Sequence, residues 1–111
     1  MHKINESEKT YRFGQTGPKY LIEGPRLKAG VVRLEAGEDF KTHYHNIMEE
    51  NFLVTEGEIT FKVDNETVVC GAGDFIHIEP GERHYLKNTG NTPCKAVFML
   101  APATDNDKYE D

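Results

Sequence analysis

The chain has no cluster of lysine and arginine, and its net charge is −6. A nucleic-acid surface, which concentrates basic charge, is therefore not expected. It has no apolar run longer than Ala96–Ala101, far short of the roughly 20 residues a membrane helix requires. Its opening stretch, MHKINESEKTY, lacks the apolar centre of a signal peptide, which points to a cytoplasmic protein. In that compartment the glycosylation sequons at Asn5 and Asn65 are chance matches. Cysteine is scarce too: Cys70 and Cys94 lie far apart with no CxxC spacing. Both fall in apolar stretches, so free thiols packed as small hydrophobes are expected, rather than a bridge or a nucleophile. There is no internal repeat, no low-complexity tract, and no window of ten or more residues with a helical stripe.

What remains is alternation. The 111 residues, 37% hydrophobic and 29% charged, suit one soluble domain with its own core. EITFKV places Ile59, Phe61 and Val63 on one face of an extended segment, and ENFLVTEG does the same for Glu50, Phe52 and Val54. Further strand candidates are GVVRLEAG, TVVC, DFIHI, HYLKN and CKAVFML, separated by turn signals at Gly37, Gly57, Asp64–Asn65, Gly71–Gly73 and Glu79–Gly81. Many short strands with regular punctuation predict an all-β sandwich or barrel. We expect the domain to span residues 11–102, with a loosely held polar arm at 1–10 and a polar tail at 103–111.

Chemistry concentrates in THYHNIMEENF, residues 42–52. In extended chain, His43 and His45 project to one side, a spacing suited to two neighbouring positions on one metal ion. By itself an HxH pair describes an exposed strand more often than a site. The glutamate doublet is separated by parity: Glu50 shares its face with Phe52 and Val54, Glu49 with Asn51 and Leu53. A carboxylate on the core-facing side is costly unless it is paired or metal-bound, which makes Glu50 the ligand candidate.

A third histidine, His84, follows the Glu79–Gly81 turn, and here the pattern resembles a known family. Gly37, five residues, His43-x-His45, four residues, Glu50, six residues and Gly57 match the first motif of the cupins at every defined position. Gly73, seven residues, Gly81, two residues, His84, three residues and Asn88 match the second motif. One departure is that the proline usual two places before the second glycine has moved by one, to Pro80. The resemblance implies a jelly-roll barrel, the double-stranded β-helix, with one divalent transition metal (Fe, Mn, Ni, Co, Cu or Zn) held by His43, His45, Glu50 and His84. It also implies pairing into a homodimer through the outer face of a sheet, where an outward Phe75 would supply apolar area. Gly37, Gly57, Gly73 and Gly81 would serve turns, and Asn88 would brace a strand end or turn.

Other polar residues carry expectations of their own. His77 shares a face with Phe75, so it points outward if Ile76 and Ile78 point in. A regular strand would aim Lys41 at the cavity beside His43, and Arg33 could also reach an anionic substrate, though a solvated rim suits both. Tyr44 and Tyr85 alternate away from the ligands and read as packing residues. Three imidazoles and one carboxylate leave two places on a six-coordinate ion, enough for a small polar substrate beside dioxygen. A dioxygenase is therefore favoured. The alternatives are an isomerase or lyase, for which no additional base is evident, and a non-catalytic binding or sensing module. Phe52, Val54, Ile76 and Ile78 are the candidates for an apolar wall around the site.

Overall fold

Nine strands and one short 3-10 turn (Glu6–Glu8) make up the regular structure of the computed structural model, which describes residues 1–111. The strands are β1 (Gly17–Glu23), β2 (Lys28–Leu34), β3 (Asp39–His43), β4 (Glu49–Glu56), β5 (Glu58–Val63), β6 (Glu66–Gly71), β7 (Phe75–Ile78), β8 (His84–Lys87) and β9 (Cys94–Ala101). They form two antiparallel sheets, one ordered β1-β2-β9-β4-β7 and the other β3-β8-β5-β6. This is the jelly-roll architecture, and no helix is long and apolar enough to cross a membrane.

Alternation decides what each strand buries. Along β9, Cys94, Ala96, Phe98 and Leu100 point inward while the residues between them are half-buried. On β4, Glu50, Phe52 and Val54 point inward with them, and Ile59, Phe61 and Leu86 meet them from the other sheet. Burying a side chain such as Phe61 or Ile59, each 0–1% exposed, contributes roughly 1.5–3 kcal/mol. Both cysteines are free thiols within this core. Ile78 is buried, whereas Phe75 and His77 on the same strand are exposed.

Two glycines show how tightly the scaffold is built. Gly57 turns β4 into β5 at φ +73°, and a Cβ there would lie 2.7 Å from the Pro93 carbonyl oxygen. Gly30 faces Tyr20 on β1 and Phe98 on β9. A Cβ at Gly30 would stand 2.1 Å from the Lys19 carbonyl oxygen and 2.8 Å from Phe98. The missing side chain lets the Tyr20 ring meet Phe98 edge-on, with centroids 5.1 Å apart.

Strand β1 was not among the segments expected from sequence, and both terminal segments make specific contacts with the rest of the domain. Asn5 caps the 3-10 turn, and Glu6 then pairs with Lys19 at 3.1 Å and Lys95 at 2.8 Å. At the other end Asp107 is 3% exposed. Its carboxylate accepts hydrogen bonds from the N–H groups of Asn46, Ile47 and Met48 at 3.0, 3.0 and 2.8 Å. Tyr109 exchanges backbone hydrogen bonds with Tyr44 and stacks on its ring. Polarity misled the reading of the tail because its buried member is a carboxylate that satisfies otherwise unpaired loop amides.

Candidate metal centre

His43 ends β3 directly opposite His84 at the start of β8, and Glu50 faces them from β4 in the other sheet. His45 lies just past β3, where its carbonyl accepts the Gly81 N–H at 2.6 Å and ties the two motif turns together. Gly81 keeps its positive φ of 88°, so the displaced proline leaves the register of His84 intact. Each of the four side chains is buried, His84 to 1% exposure. Their donor atoms all lie within 4.8 Å of one another.

The imidazoles are oriented from behind. Each Nδ1 meets a backbone carbonyl: Lys41 at 2.9 Å for His43, Asp107 at 2.6 Å for His45 and Glu82 at 2.9 Å for His84. A carbonyl oxygen only accepts, so each Nδ1 carries the proton, and a neutral ring then presents its Nε2 lone pair. The three Nε2 atoms stand 3.9, 3.4 and 2.9 Å from one Glu50 oxygen. A proton can bridge the shortest of these. The His45 Nε2, buried and without hydrogen-bond geometry to any group, has no partner. Burial alone would raise the Glu50 carboxyl, but the three histidines outweigh it and hold it well below the ordinary carboxylate range. Burial likewise depresses His45, and the Glu50 carboxylate and Asp107 carbonyl overcome it, leaving that ring raised. Three Nε2 atoms and a buried carboxylate oxygen converging on one point can be satisfied by shared protons or by a cation, and the N and O donor set suits one divalent transition metal. The residues present could hold such an ion.

A pocket of about 90 Å³ opens above the cluster. Its walls include Tyr20, Val32, Phe40, Phe52, Phe98 and Leu100. Of the apolar wall expected from sequence, only Phe52 is present; Val54 and Ile78 belong to the core and Ile76 packs against it. Lys41 does not point at the cavity. The β3–β8 register shifts between Phe40 and His43, so Phe40 lines the pocket and Lys41 is exposed. Arg33 is also outside, bonded to Glu35 at 2.8 Å and to the Gln15 carbonyl at 2.9 Å. Glu49 bonds Asn51 at 2.9 Å, and exposed His77 bonds Glu79 at 2.7 Å, both away from the cluster. Tyr85 donates to Asp39 at 2.6 Å, and Asn88, fully buried, donates to the carbonyls of Leu34 and Thr92 as a brace.

Sequence reasoning missed Arg12, Tyr20 and Lys108 in the pocket lining and Asp107 behind His45. Tyr20 sits between two Gly-Pro pairs, a signal of a short strand that was available. Arg12, Asp107 and Lys108 fall in polar segments with no period and leave no such trace. Burial, then the Glu50 charge, raise the Tyr20 hydroxyl above its ordinary value, with Arg12 opposing, so it remains a neutral donor.

Among known proteins, the chain is 32% identical over 90 residues to the uncharacterized protein MJ1618 of Methanocaldococcus jannaschii, covering 81% of this chain and 72% of that one. It is 30% identical over 73 residues to the tetracenomycin polyketide synthase protein TcmJ of Streptomyces glaucescens, a match spanning 66% of this chain but only 49% of that relative. Among solved structures, a protein with a double-stranded beta-helix domain from Klebsiella pneumoniae superposes with a TM-score of 0.84 at 21% identity, covering 98% of this chain and 96% of the other. The DMSP lyase DddQ of Ruegeria pomeroyi superposes with a TM-score of 0.74 at 20% identity, covering 96% of this chain and 58% of the lyase. At these identities the superpositions establish a shared fold. The family model described as "Cupin domain" matches residues 30–100, more than half of the chain and a span holding all four clustered residues, and the protein therefore belongs to the cupin family.

Proposed function

We propose that His43, His45, Glu50 and His84 hold one divalent transition metal per chain and that the protein is a metal-dependent enzyme acting on a small polar molecule. The observation that carries this reading is the convergence of three back-oriented imidazoles and one buried carboxylate at the floor of an aromatic pocket. When bound, the ion would supply Lewis acidity and, if redox-active, oxygen chemistry. The chain's own residues do the rest. Phe40, Phe52 and Phe98 limit water at the floor, while Tyr20 offers a hydroxyl donor to an oxygen atom of the substrate. Dioxygenase chemistry is favoured because the four protein donors leave room for substrate and dioxygen together. A lyase or isomerase is the second reading. What favours it is the Tyr20 hydroxyl, a titratable group in the pocket that is not part of the cluster, and DddQ, which shares the fold, is a lyase.

We further propose a homodimer through the outer face of the five-stranded sheet, where Phe75 and Leu53, paired across β7 and β4, are 57% and 37% exposed. Free buried thiols suit a reducing, cytoplasmic setting.

The decisive experiment begins with metal analysis of protein purified without a histidine tag. Protein loaded anaerobically with Fe(II) is then given nitric oxide and examined by EPR, and candidate substrates are screened for oxygen consumption. A ferrous–nitrosyl signal with substrate-dependent oxygen uptake supports the dioxygenase. Loaded protein that gives no nitrosyl signal sinks it, and turnover under nitrogen moves the assignment to lyase or isomerase chemistry.

A further inference from the structure

The mouth of the pocket carries two cations that lie outside the family-matched span of residues 30–100. Arg12 comes from the segment before β1 and Lys108 from the segment after β9. Neither is engaged in an ion pair, and they are the two basic side chains that line this pocket. Both are held in place through their backbones. The Arg12 N–H donates to the Pro18 carbonyl at 2.9 Å within a short loop closed by the Tyr11–Gly14 bridge. Lys108 follows Asp107, whose carboxylate binds three loop amides and whose carbonyl holds His45.

Charge and size then restrict what fits. Glu50 is the single acid lining the pocket, and its oxygen is already engaged by the histidines. Two cations at the mouth face no compensating carboxylate, in a protein whose net charge is −6. The cavity of about 90 Å³ has room for roughly six to nine non-hydrogen atoms, taking one water-sized site per ~10–15 Å³. A phosphate group would use most of that room. A carboxylate uses three atoms and leaves the remainder for a body against Phe40, Phe98 and Tyr20.

We propose that Arg12 and Lys108 form an anion clamp, and that the ligand of this pocket is a small carboxylate whose charged end lies at the mouth and whose body reaches toward the histidine–glutamate cluster. The guanidinium of Arg12 supplies the planar fork that matches a carboxylate, and Lys108 adds a second point charge. The direction of the body rests on the metal reading above; the clamp itself does not. Recognition therefore belongs to the two terminal segments, and the family-matched barrel between them supplies the cluster.

The test is calorimetric titration of the zinc-loaded and the metal-free protein with propionate, succinate and benzoate, each beside its neutral primary amide, with inorganic phosphate as a further arm. The expected result is that at least one acid binds roughly tenfold or more tighter than its amide. Arg12→Gln should remove most of that preference, Arg12→Lys should restore part of it, and Lys108→Gln should weaken acids less than Arg12→Gln does. Zinc affinity should be unchanged in all three variants. Acids and amides binding alike, no acid binding at all, an Arg12→Gln protein that keeps the full preference, or phosphate binding more tightly than every acid would each overturn the proposal. A clamp effect that persists in protein unable to take up zinc supports the clamp while removing the metal reading, so the two ideas fail separately.

Discussion

Replacing Asp107 by alanine tests whether the C-terminal segment is part of the fold. Its carboxylate receives three N–H groups, but they are not equal. Asn46 and Ile47 are exposed and their amides can turn to water, whereas Met48 is 4% exposed and its amide would be left unpaired. Losing one charge-assisted bond in a buried setting costs about 1.5–3 kcal/mol, and the two rehydrated amides add a smaller amount. The expected loss is about 2–4 kcal/mol. For a chain of 111 residues that lowers Tm by roughly 9–17 °C. Urea unfolding of metal-free protein at pH 7 measures it without interference from an ion. Asp107→Asn keeps an acceptor and the side-chain volume, so its loss should be about half. The pH dependence has a definite sign. Burial pushes the Asp107 carboxyl up, but the amides of Met48, Ile47 and Asn46 outweigh that and hold it below its ordinary 3.8. A carboxylate whose folded pKa is depressed stabilises fully above the unfolded value, and the effect is lost as pH falls through the folded one. The gap between wild type and Asp107→Asn should be present at pH 7 and close in strong acid. An Asp107→Ala protein within about 0.5 kcal/mol of wild type, the range of ordinary surface substitutions, would refute this account.

Glu50→Gln should abolish tight metal binding while Glu49→Gln and His77→Ala leave it in place; loss of metal from Glu49→Gln alone would mean that the faces of β4 are misassigned. Gly30→Ala should cost about 1–3 kcal/mol or more, since its Cβ would meet the Lys19 carbonyl oxygen at 2.1 Å; an unchanged Tm contradicts that packing. Glu6 is held below its usual value, first by Lys95 and, against some desolvation, by Lys19. Glu6→Gln should therefore lose at most about 1 kcal/mol at pH 7, and that difference should vanish as pH falls through the depressed folded pKa of Glu6, read from paired urea curves. Phe75→Glu should convert a dimer to a 12.6 kDa monomer in sedimentation; a monomeric wild type at micromolar concentration would remove the dimer instead.

Much of the barrel was legible because its strands alternate cleanly. Glu50, Phe52 and Val54 share a face in the sequence and in the structure, and Gly81 sets the turn that delivers His84. Strict parity does not hold where a strand is irregular: the shift after Phe40 turns Lys41 out, to the solvated position that suited it, and brings Phe40 in, which no count of residues reveals. The pocket walls were harder still. Tyr20, Val32, Phe98 and Leu100 come from three strands brought side by side by sheet order, and neighbours across a sheet leave no mark in the sequence of either. Asp107 was misjudged because polarity in a tail usually signals solvent, and its role depends on a loop some sixty residues away.

His43 and His84 belong to one sheet and Glu50 to the other. The cluster therefore lies across the seam of the sandwich and has no existence within either half. Any breathing motion that parts the sheets at this end dismantles it at once, so the lifetime of a bound ion cannot exceed the interval between such openings by much. Conversely, an ion in place would act as a rivet: amide hydrogens of β4 and β8, distant in sequence and in different sheets, should slow their exchange together on metal loading, while those of the edge strand β6 keep their own pace.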